Sequence, residues 1–86
     1  MKRPAPRGLA VPRSASTAVR ALPPLDVPAD TRAAFDAVRA HPVVTTAREE
    51  APSRREREAV GAAAADLVRR SLRAAWWREE TARIPF

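Results

Sequence analysis

Alanine takes up just over half of this chain's apolar inventory, 20 of 39 apolar residues in a length of 86. A buried methyl group removes little surface from water, and the return is only about 25 cal/mol per Å². The core must therefore come from the 19 larger apolar side chains. A chain of this size hides only about 60–65% of its unfolded surface and is marginal without disulfides, metal or partners. Cysteine is absent, so disulfides and thiolate chemistry are excluded. The expected fold is mostly α, with no self-sufficient globular core. A partner would then supply the missing apolar surface as the chain orders on it.

Prolines divide the chain. Six of the nine lie in residues 1–28, and no acid precedes Asp26. This span reads as an extended basic arm, stiffened toward polyproline II by Pro4, Pro6, Pro12, Pro23 and Pro24. Lys2, Arg3, Arg7, Arg13 and Arg20 face no acid in residues 1–25. They are the candidate contacts to an anionic partner, above all RNA, where guanidinium groups pair with phosphate and stack on bases. The stretch Arg7–Arg20 is also rich in Arg, Ser and Ala, as transit peptides are. Pro4, Pro6 and Pro12 count against that reading because an import helix would break at them. A solubilising tail with no specific partner is the plain alternative.

Residues 29–52 read as a short helix at about 31–40 followed by a linker. Asp30 is an N-cap, and Pro42 is read as the stop because the residue before proline is pushed out of the α region. Phe35 and Val38 share one face and make an apolar peg. Val43, Val44, Thr45 and Thr46 read as an extended run or as linker. His41, the only histidine, is assigned to the last carbonyls of the short helix.

Residues 53–86 read as one long amphipathic helix with an apolar tail. Ser53 and Glu56 have capping-box spacing, and Pro85 ends the helix. Val60, Ala64, Leu67, Val68, Ser71, Leu72, Ala75 and Trp76 recur at i, i+3, i+4 and i+7 and form one stripe. Trp77 is displaced by about 100° from Trp76, toward Asp66, Arg70 and Arg73, which places it on an exposed face. Tryptophan beside arginine marks a protein interface and equally suits base stacking. The expected interface residues are Phe35, Val38, Val60, Leu67, Val68, Leu72, Trp76, Trp77, Ile84 and Phe86.

Catalytic and cofactor chemistry find no residues to carry them. There is no Gly-rich phosphate loop, since Gly8 and Gly61 are the only glycines. One histidine without cysteine makes a poor metal site. No serine or acid pair carries the spacing of a nucleophile with its base. No catalytic residue, metal or cofactor is expected. No run of about 18 apolar residues is present, so no transmembrane helix is expected.

The sequence thus points to a non-enzymatic accessory subunit of a large assembly. Other protein subunits are its expected partners, with ribosomal RNA possible at the arm. An organellar ribosome or a respiratory-type complex in the mitochondrion is the leading setting. The competing reading is a small nucleic-acid-binding or regulatory protein of the bacterial cytoplasm, dimerising through the long helix. The stretch from His41 to Pro52 speaks against a helix-turn-helix, which needs a tight turn.

Overall fold

Ser53 begins the longest element. Its Oγ accepts the backbone N–H of Glu56 at 3.0 Å, and from there helix α4 runs over Arg54–Arg83, 30 residues or about 45 Å. Ile84 is extended and Pro85 follows, so the ladder cannot continue. The computed structural model describes residues 14–85. Before α4 it has α1 (Ala15–Arg20), α2 (Thr31–Arg39) and α3 (Pro42–Glu50), with no strand among the described residues.

Only half of the capping box at Ser53 is closed in the expected way. Instead of turning back to Ser53, the Glu56 carboxylate accepts the backbone N–H of Ala15 at 3.2 Å. That amide is one of the unpaired donors at the start of α1. Ser14 caps the same helix end from within, its Oγ accepting the Thr17 N–H at 3.2 Å. Helix α1 lies inside the span read as an extended arm. No proline interrupts residues 13–22, and Ser14 supplies a cap there.

Helix α2 starts where expected. Asp30 Oδ1 accepts the Arg32 N–H at 3.3 Å, and Ala34 and Val38 are buried. The residues after it differ from the expectation. Pro42 opens a helix rather than closing one, because proline at the first helical position has no N–H to leave unpaired and its φ is already helical. His41 is the N-cap of α3, its Nδ1 accepting the Val43 N–H at 3.1 Å. Val43 to Thr46 are therefore helical, neither strand nor linker. Burial of Val44 and Ala47 against the other helices outweighs the small intrinsic penalty of the β-branched residues.

Packing places all three short helices on one side of α4. Ala15 meets Glu56, Leu22 meets Arg70 and Val27 meets Arg78. The chain from α1 to residue 27 thus climbs α4 in the direction α4 itself runs. α2 then returns, so that Phe35, Val38 and Arg39 share a hollow with Gly61, Ala64 and Val68. α3 closes the side against α1 and α4. The core that results is small-residue throughout: Val19, Val27, Val38, Val44, Val60, Leu67, Val68 and Leu72, filled in with alanines.

This burial corrects one part of the interface expectation. Val38, Val60, Leu67, Val68 and Leu72 are covered by the chain's own helices, so they are not available to a partner. The apolar stripe on α4 is real, but α1, α2, α3 and the segment between α1 and α2 occupy it.

Two substitutions test this packing. Leu67 is fully buried, and Leu67→Ala should lower unfolding stability by about 2–5 kcal/mol, measured as a fall in the urea midpoint. Gly61 is exposed in mid-helix, and a Cβ there would meet nothing within 4 Å. Gly61→Ala should raise stability by up to about 1 kcal/mol, whereas a loss would mean that the position is more crowded than the structure shows.

Candidate docking site

Three prolines make the feature that shapes the surface. Pro23, Pro24 and Pro28 fix φ and lack an N–H, so residues 22–29 form neither helix nor strand. They cross α4 as a strap whose backbone groups need partners, and α4 supplies them from its side chains. Arg70 Nη1 donates to the Leu22 carbonyl at 2.9 Å. Ser71, buried on α4, accepts the Leu25 N–H on its Oγ at 2.9 Å. Arg78 Nη2 donates to the Val27 carbonyl at 3.1 Å and reaches the Asp26 carboxylate at 3.0 Å. Trp76 Nε1 donates to the Ala29 carbonyl at 2.9 Å.

The strap fixes the ring of Trp76 without burying it. Trp76 was expected within the apolar stripe; it stands at the rim, 52% exposed, because the strap takes up its indole N–H and leaves much of the ring in solvent. Trp77 is 72% exposed, as its angular offset predicts. Pro24, Ala74 and the two tryptophans line an open apolar groove of about 740 Å³, with Arg70, Arg73 and Glu80 on its walls. Its charged groups are unequally committed. Arg70 Nε is bound by Asp66 at 3.1 Å, but its Nη2 is buried without a hydrogen-bond partner. Glu80 pairs with Arg83 at 3.6 Å. Arg73 is exposed and forms no ion pair among the described residues.

The other expected contact residues lie elsewhere. Phe35 is 41% exposed over α2, Ile84 is exposed beyond α4, and Arg20 is exposed in the last turn of α1. Lys2, Arg3, Arg7, Arg13 and Phe86 fall outside the described residues. Arg73, Arg78 and Pro24 were not among the expected contacts. One signal for Arg78 was present in the sequence: it follows Ser71 by seven residues, which places both on one face of α4, the face the strap crosses.

Among the described residues, no three His, Cys, Asp or Glu side chains stand close enough to hold a metal ion, and no helix is long and apolar enough to cross a membrane.

Removing the Ser71 hydroxyl isolates the contribution of the strap. Ser71→Ala leaves the Leu25 N–H without its acceptor and should cost about 1–3 kcal/mol. Faster hydrogen exchange at the Leu25 amide should accompany a lowered melting temperature, and unchanged exchange would show that the strap is held by other groups.

Comparison with known proteins adds no relative to this geometry, since no family model, curated protein or solved structure matches the chain.

Proposed function

We propose that this protein is a non-enzymatic accessory subunit that docks onto a larger assembly through the groove at Trp76 and Trp77. The observation that carries the reading is the pair of exposed tryptophans on a rigid helix. Small soluble proteins rarely leave two adjacent tryptophans in water, and tryptophan and arginine supply most of the binding energy at protein interfaces. The four cations of residues 1–13 face no acid in that span and provide a second contact, suited to RNA phosphates in the same particle. An organellar ribosome is such a particle; a respiratory-type complex in the mitochondrion, which holds no RNA, would be engaged through the groove alone.

The competing reading, a small bacterial nucleic-acid-binding protein, gains one point and loses another. The stretch from His41 to Pro52 is largely helix α3, with short turns on either side, so its length no longer speaks against a helix-turn-helix. However, α3 carries Arg48 against Glu49 and Glu50, and phosphates would repel that end of the helix.

Affinity purification of the tagged full-length chain from its own cells, with and without nuclease, tests the proposal. A defined set of protein subunits should co-purify, survive nuclease, and fall about tenfold or more with Trp77→Ala, as for an interface anchor. Recovery of only a homodimer with nucleic acid would replace the proposal with the competing reading.

A further inference from the structure

The groove at Trp76 and Trp77 also specifies the charge of what enters it. Its acids are partly engaged: Glu80 has an exposed pair with Arg83 at 3.6 Å, and Asp66 accepts from both Arg69 and Arg70. Its cations are not fully engaged. Arg73, exposed on the groove wall, has no carboxylate partner among the described residues, whereas Arg70 is bound to Asp66 and to the Leu22 carbonyl and its remaining Nη2 is buried, out of reach of an occupant. The Trp77 indole N–H also makes no hydrogen bond among the described residues, whereas that of Trp76 is held by Ala29. The site therefore offers unused donors beside an apolar floor of Pro24, Ala74 and indole.

We infer that the natural occupant is an acidic peptide segment of the partner, one that places an Asp or Glu next to a large apolar side chain. The apolar residue lies on the Trp77 and Ala74 floor. The carboxylate accepts from Arg73, where a charge-assisted bond is shorter and stronger than a neutral one. A basic segment is disfavoured because it would bring like charge to Arg73, while the acid on the groove wall, Glu80, is already shared with Arg83. Nucleic acid is disfavoured by the charge of the body as a whole. Residues 14–85 carry twelve arginines and all ten acids, nearly balanced, whereas binding along a phosphate backbone draws on many uncompensated cations. One carboxylate beside one apolar anchor matches the few free donors the groove holds.

This inference rests on the docking reading above, and the test keeps the two apart. A random peptide library is selected on the immobilised full-length chain, and the enriched sequences are synthesised and titrated by tryptophan fluorescence. The expected result is a shared Asp or Glu close to Leu, Phe, Met or Trp. Affinity should fall about tenfold or more with Arg73→Glu, as for an anchor residue, and recover when the peptide's acid is replaced by lysine. Arg73 is exposed, so the variant should keep the helical circular dichroism of the parent. Enrichment of basic or uncharged peptides, no enrichment, or displacement of the peptide by a single-stranded oligoribonucleotide would overturn the inference. The co-purified assembly gives the second arm. If Trp77→Ala releases it and Arg73→Glu does not, the acidic occupant is wrong and docking through tryptophan stands. If neither variant releases it, docking at this groove fails altogether.

Discussion

One face of α4 carries the whole fold. A chain with few large apolar residues cannot afford two separate layers, so everything described before Arg54 lies against a single rod. Val19, Val27, Val38 and Val44 arrive from four different segments and meet Val60, Leu67, Val68 and Leu72 on that face. None of the short helices would persist in water at six or nine residues. Their stability is tertiary: α1 and α2 draw mainly on α4, and α3 on α1 as well as α4.

The small size of the core residues explains why polar contacts matter here. Valine and alanine cover modest area, so the strap is not held by burial alone. Arg70, Ser71, Trp76 and Arg78 each satisfy one of its backbone groups. A buried serine in the middle of an apolar stripe would ordinarily weaken the packing. Ser71 is instead the point at which the helix receives the strap, and the stripe tolerates the hydroxyl because the Leu25 amide meets it.

The long helix was legible because its signals agree: a cap at Ser53, about thirty residues of good propensity, one apolar period and a terminal proline. The start of α2 was legible for the same reason. α1 and α3 were not, and the cause in both is the double meaning of proline. Pro42 both ends the possibility of a continuous helix and begins a new one, and the cap of His41 on the Val43 amide together with the burial of Val44 and Ala47 decides between them. Pro12 and Pro23 bracket a helix that composition averaged over 28 residues conceals. At the candidate site, the exposure of Trp77 followed from its angular offset alone. The half-exposure of Trp76 did not, because it depends on a strap whose path is set by contacts 41–51 residues apart in sequence, which no local pattern encodes.

That separation bears on when the fold can appear. The strap finds its partners at Arg70, Ser71, Trp76 and Arg78, 46–51 residues further along the sequence. Residues 14–29 are made before all of these partners, so α1 stands without its Glu56 cap and the strap without its α4 contacts until the chain has reached Arg78. Local helix formation in α4 is fast, whereas joining the two ends requires a large loop to close. Helix α4 can therefore form before the strap docks, and the groove at Trp76, whose indole the Ala29 carbonyl holds, is complete only once it has.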